Sequence, residues 1–226
     1  MSVQSSKAQN RILAAVIFGA GLAIAVAVQI GVPNDPGVPT ANAQRIVEQD
    51  RQLLKDFGIA RQALTAEEAA ELPDLYSPSL TSDSSYSWDN GDYAFRLNAD
   101  RIVPLNQIVK LGGAAWSIEK KQAFGSDIDN LSPTSHAANS WKGLKTPADI
   151  AEDQKAGSFS WTDPCAEVYK EIAVFTPTGG CEGVPEDFDS CGYAERYREI
   201  AARYELKIPR EDRDALRSLS ADCSAD

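Results

Sequence analysis

The sequence predicts an α+β protein: a small core of two strands and a helix, flanking helices, a disulfide-tied C-terminal helical hairpin, and an apolar N-terminal signal or membrane helix. Three observations carry this expectation. Residues 96–150 contain two strand-like runs, "RIVPL" and "NLSPT", with a capped helix between them and a short helix after. Residues 192–219 repeat apolar side chains every three or four positions and are bracketed by cysteines. Residues 12–30 form a 19-residue run without a charge.

The elements follow in order. Lys7 and Arg11 precede "ILAAVIFGAGLAIAVAVQI", and the first acidic residue, Asp35, comes after it, so the N-terminus stays cytoplasmic and the rest is exported. The run is close to the ~20 residues a membrane helix needs and longer than the usual ~7–15 of a cleaved signal. A Pro- and Gly-rich spacer leads to "ANAQ", where Ala41 and Ala43 satisfy the small-x-small rule of signal peptidase. Secretion after cleavage and anchoring through residues 12–30 are both open, and residues 1–43 are set apart as this targeting unit.

Residues 44–93 form a helical and loop lead-in. "QRIVEQDRQLLKDFGI" spaces Ile46, Leu53, Leu54 and Phe57 for a first helix stopped by Gly58. Thr65 with Glu68 is a capping box for a short second helix. The Ser-, Asp- and Gly-rich stretch 76–93 reads as loop.

Residues 94–226 form the main domain. After "RIVPL", Ser117 caps a helix over "IEKKQAF"; "NLSPT" follows, then "SHAANSWK" closed by Gly143. Tyr193, Tyr197, Ile200 and Tyr204 mark one helix, and Pro209 with Glu211 and Asp212 opens another carrying Leu216 and Leu219. Antiparallel packing of the two brings Cys191 beside Cys223, which leaves Cys165 to pair with Cys181. Four cysteines as two disulfides suit an oxidising compartment. Zinc is disfavoured, since no spacing is C-x2-C and no histidine lies nearby.

The net charge of −11 argues against a surface that grips nucleic acid throughout. Residues 44–95 and 146–226 are strongly acidic, whereas residues 96–145 carry seven basic and four acidic side chains. The only basic segment therefore coincides with the two predicted strands.

Within that segment stand Asp100, "IVPL" from Ile102 to Leu105, "AWS" from Ala115 to Ser117, Asn130-Leu131, and Asn139 with Lys142-Gly143. These resemble the HNH (ββα-metal, His-Me finger) nuclease superfamily, in the subgroup of GmrSD restriction-enzyme C-terminal domains and small secreted actinobacterial nucleases. That subgroup's pattern is D-H-I-V-P-L, W-S, N-L, then N-x-x-K-G. The tail resembles it too, through Cys191, Tyr193, Tyr204-Glu205-Leu206 and Cys223. The resemblance spans roughly residues 94–223, and residues 45–93 do not match the family's usual N-terminal part.

The resemblance implies phosphodiester hydrolysis of DNA with one Mg²⁺ or Mn²⁺, which neutralises phosphate charge while a base activates water. It makes Asp100 and Asn139 metal ligands, Asn130 the residue that orients the base, and Lys142 a phosphate contact. The base should directly follow Asp100, but that residue is Arg101. Arginine stays protonated to pH ~12 and cannot take the proton. Loss of a general base usually lowers the rate by ~10²–10⁴.

His136, three residues before Asn139, is a further candidate ligand or phosphate contact; its plain reading is an ordinary histidine near a helix start. Asp100 and Asn139 also have plain readings, as a loop acid and a surface amide. Trp116, Trp141 and Trp161 read as packing rather than base-stacking platforms. Two functions are carried forward: an exported metal-dependent endonuclease impaired by Arg101, and an inactive pseudonuclease that binds nucleic acid or an envelope protein. A third, an unrelated structural envelope protein, requires the resemblance to be accidental.

Overall fold

The structure, a computed structural model, describes residues 64–88, 92–171, 180–221 and 223. The expected apolar helix over 12–30, the spacer and the helix over 44–59 lie outside these residues. Among the described residues no helix is long and apolar enough to cross a membrane.

Thr65 caps helix α1 (Ala66–Glu71): its hydroxyl accepts the Glu68 amide, and the Glu68 carboxylate accepts the Thr65 amide. The stretch 76–93, expected as loop, departs from that reading at its start. Asp74 accepts the amides of Tyr76 and Ser77 at 2.8 and 3.0 Å and the Thr81 hydroxyl, which winds the chain into a short helix α2 (Pro78–Thr81). Tyr76 and Ser77 are thereby buried.

Strand β1 covers Leu97–Arg101 rather than the expected 101–105. The strand stops where the Asn130 side chain takes the Val103 amide and carbonyl, and Pro104, with no N–H for a ladder, then leads into helix α3 (Leu105–Ile108). β1 pairs antiparallel with β2 (Leu131–Ser135), Asp100 opposite Ser132 and Arg101 opposite Leu131. Between them lies helix α4 (Ile118–Gly125), capped by Ser117 as expected. Helix α5 (His136–Lys142) follows β2 with no intervening loop; Ser135 ends the strand and caps the helix through the Ala138 amide, and Gly143 closes it at φ 45°. α5 packs on both strands.

Helix α6 (Pro147–Ala156) leads to a parallel pair, β3 (Ser158–Phe159) and β4 (Val184–Pro185), with helix α7 (Glu167–Glu171) between. Gly183 is needed for that pairing: at φ 98°, a Cβ there would meet the Gly157 carbonyl at 2.5 Å. The predicted hairpin is present as α8 (Ser190–Tyr204) and α9 (Arg210–Leu219). Both disulfides form as expected, Cys165–Cys181 and Cys191–Cys223. They fit an oxidising compartment.

Trp141, Tyr76, Tyr193, Tyr197 and Phe124 are the bulkiest of the fully buried side chains. The buried indoles find partners, Trp141 donating to the Gly183 carbonyl at 3.2 Å and Trp161 to Asp187 at 3.1 Å, and Trp116 stacks on Tyr204 at 5.7 Å. All three tryptophans are packing residues here.

Loop-closure entropy fixes what each disulfide contributes. With separations of 16 and 32 residues, replacing Cys165/Cys181 or Cys191/Cys223 by serine pairs should lower stability by about 3 and about 4 kcal/mol respectively in urea unfolding.

Burial, reinforced by neighbouring acidic groups, holds the phenols of Tyr76, Tyr193 and Tyr197 above the usual tyrosine range and pushes Tyr204 up to about 12. Unfolded phenols lose their protons first, so this stability is complete below pH ~10 and lost as pH rises beyond it. Absorbance at 295 nm and far-UV circular dichroism should change together above pH ~10. Ionisation of these four tyrosines with intact helix signal would contradict the burial described.

Candidate functional site

On a strand, residues two apart share a face. Asn98 and Asp100 of β1 accordingly both meet α5, at its opposite ends. Asn98 Nδ2 lies 3.4 Å from His136 Nδ1, and Asp100 Oδ2 lies 2.8 Å from Lys142 Nζ. Asn139 sits one turn from each of His136 and Lys142, half-buried. The helix therefore runs in the same sense as β1, and the sequence-predicted residues Asp100, His136, Asn139 and Lys142 gather at one strand–helix seam.

The seam is dry at its Lys142 end. Lys142 is 0% exposed and Asp100 8%. The ammonium also donates to the main-chain carbonyl of Arg101 and sits 5.8 Å from the centroid of the Tyr76 ring. Its contact with Asp100 is an ion pair. Burial draws the Lys142 pKa below its ordinary value, and Asp100 opposes that shift. Burial likewise raises the Tyr76 phenol, and the Asp100 charge raises it further. Tyr76, read from the sequence as part of a loop, is thus a wall of the site; no local pattern around it signals burial.

Asn130 is fully buried. Its Oδ1 accepts the Val103 amide at 2.9 Å and its Nδ2 donates to the Val103 carbonyl at 3.2 Å, while its own carbonyl accepts the Ile102 amide at 3.1 Å. Asn130 therefore fixes the main chain leaving β1, and with it the Arg101 carbonyl that Lys142 uses. It holds backbone and not a side-chain base.

The Arg101 guanidinium turns to the other side and donates to the Gly125 carbonyl at 3.3 Å; burial lowers its pKa, opposed by Asp100. His136 is nearly buried, with Nε2 3.5 Å from the Ser140 hydroxyl. Both ring contacts are met by one tautomer, Nδ1 accepting from Asn98 and Nε2–H facing Ser140.

Lys142 departs from the role of phosphate contact. Its ammonium is enclosed, held by Asp100 and the Arg101 carbonyl, and presents no atom to a ligand outside. A divalent cation fits this set poorly: the one carboxylate is already balanced by an ammonium, and a guanidinium follows it in sequence. Among the described residues no group of three His, Cys, Asp or Glu could hold a metal ion.

Most cations of the basic segment are engaged. Lys121 is buried, Lys120 pairs with Glu205 at 3.2 Å and Lys145 with Asp153 at 2.8 Å. Of its seven cations only Arg96 and Lys110 are exposed.

Comparison with protein-family models, with curated proteins and with solved structures returns no match to this chain.

Removing one member of a buried pair leaves an uncompensated charge, at a cost of roughly 3–5 kcal/mol. Lys142→Met and Asp100→Asn should each destabilise by that amount, and the double variant by much less than their sum. A double-mutant cycle in urea would show additive losses if the pair were not coupled.

Proposed function

We propose that this chain is an exported pseudonuclease: a ββα domain of HNH type that keeps the nuclease layout, performs no hydrolysis, and serves as a disulfide-braced module binding an envelope protein. The antiparallel β1–β2 pair followed directly by α5, with Asp100, Asn130 and Asn139 at the expected places along it, supports the HNH reading.

One observation carries the inactivity: the Lys142 ammonium 2.8 Å from Asp100 inside a closed seam. Hydrolysis would need that carboxylate free for a cation and a neutral base beside it. Here the carboxylate is engaged, and Arg101 cannot accept a proton. The pairing or burial of five of the seven cations in residues 96–145 favours protein over nucleic acid as partner, because phosphate binding scales with the number of free Lys and Arg.

The full chain with Mg²⁺ or Mn²⁺ should leave plasmid and single-stranded DNA uncut and should show no salt-sensitive binding of a fluorescent duplex. Arg101→His alone should remain silent, since Lys142 still holds Asp100. Metal-dependent cutting by the unaltered protein, abolished in Asp100→Ala, would establish an active nuclease and defeat the proposal.

A further inference from the structure

We propose that the strand–helix seam contains a binding cage for a monovalent organic cation, and that its resident is the protein's own Lys142 ammonium, tethered there in place of a free ion. The inference stands on the seam's geometry and holds whichever partner the surface serves.

Three kinds of group form the walls. Asp100 supplies one negative charge at 2.8 Å, the Arg101 carbonyl supplies a neutral oxygen acceptor, and the face of Tyr76 supplies a π surface with its centroid at 5.8 Å. One carboxylate balances one positive charge. A ring face attracts an ammonium through its quadrupole but offers no ligand to Mg²⁺, which demands an octahedron of oxygens. The chemistry of the walls thus selects an alkylammonium over a divalent metal.

Two stretches of chain form the walls: β1 carries Asp100 and, at its last residue, the Arg101 carbonyl, and the segment before α2 carries Tyr76. The cation is what these have in common. Lys142 brings it from the last turn of α5, where a positive charge also suits the helix C-terminus. The role of the ammonium is to draw strand, turn and helix together, and the four-carbon stem guarantees occupancy without any ion from solution.

A tethered ligand can be cut from its tether. Lys142→Ala removes the atoms beyond Cβ, which together correspond to n-propylammonium. The full chain carrying Lys142→Ala should melt below the unaltered protein. Added n-propylammonium should raise its midpoint, on the order of 3–6 °C at tenfold its dissociation constant. n-Propanol, tetramethylammonium chloride at equal ionic strength and Mg²⁺ should not. Lys142→Met, which fills the space without the charge, should show no such response.

Equal recovery by n-propanol would mean a void was filled and no charge recognised. Recovery by Mg²⁺ alone would mean a divalent site, and no recovery by any of them would mean no cage; each result overturns the proposal. Should Lys142→Ala not accumulate folded, the yield of protein with both disulfides after oxidative refolding, with and without n-propylammonium, decides in the same way.

Discussion

An ammonium with no exposed surface forces the rest of this domain to arrange itself around it. Taking Lys142 and Asp100 out of water carries a penalty of several kcal/mol for each ion, returned only if the two meet and the remaining hydrogen-bonding capacity finds partners. For the ammonium the structure meets that demand with main chain. Asn130, gripping Val103 on both its N–H and C=O, stops the strand at Arg101 and points that residue's carbonyl at the ammonium. The early end of β1, the buried amide and the inward lysine are thus one constraint seen from three places. Whether such a pair adds net stability over an apolar equivalent matters less than its geometry, because a pair that must be made fixes how strand and helix lie.

The outer side of β2 meets a different problem, since its five residues are all buried although three carry hydroxyls. Ser132 accepts the Leu75 amide and donates to the Pro73 carbonyl, and the Ser77 hydroxyl reaches both Thr134 and Ser135. Short side chains act here as substitute ladder partners, so that segment 73–77 covers the strand without being a strand. The cover brings Tyr76 against the ion pair. Asp74 holds the turn in place, and burial raises its pKa against the hydrogen bonds it accepts.

What could be read from the sequence follows from the range of the forces involved. Caps at Thr65 and Ser117, the stop at Gly143 and the hairpin spacing are set by neighbours within four residues, and all are found where expected. The cysteine pairing followed because a helical hairpin has simple geometry. The position of β1 could not be read, because its end is determined by a side chain 27 residues away. The burial of Tyr76 and of the Lys142 ammonium escaped for the same reason, their surroundings being assembled across the fold. The gathering of Asp100, His136, Asn139 and Lys142 was legible as a pattern of residue types, but the direction of the Lys142 side chain was not. A charge count has no direction either: residues 96–145 hold an excess of cations, yet most of them face carboxylates, carbonyls or the core.

The pairing shapes the outside as well. Lys120 and Lys145 neutralise Glu205 and Asp153 of the flanking segment 146–226, so residues 96–145 present less positive potential than their composition implies. On the proposed reading, such a surface disfavours a polyphosphate and steers in a protein with lysines or arginines at its contact face. The layout is architecture: two strands and a helix held by an ion pair, with disulfides bracing the remainder.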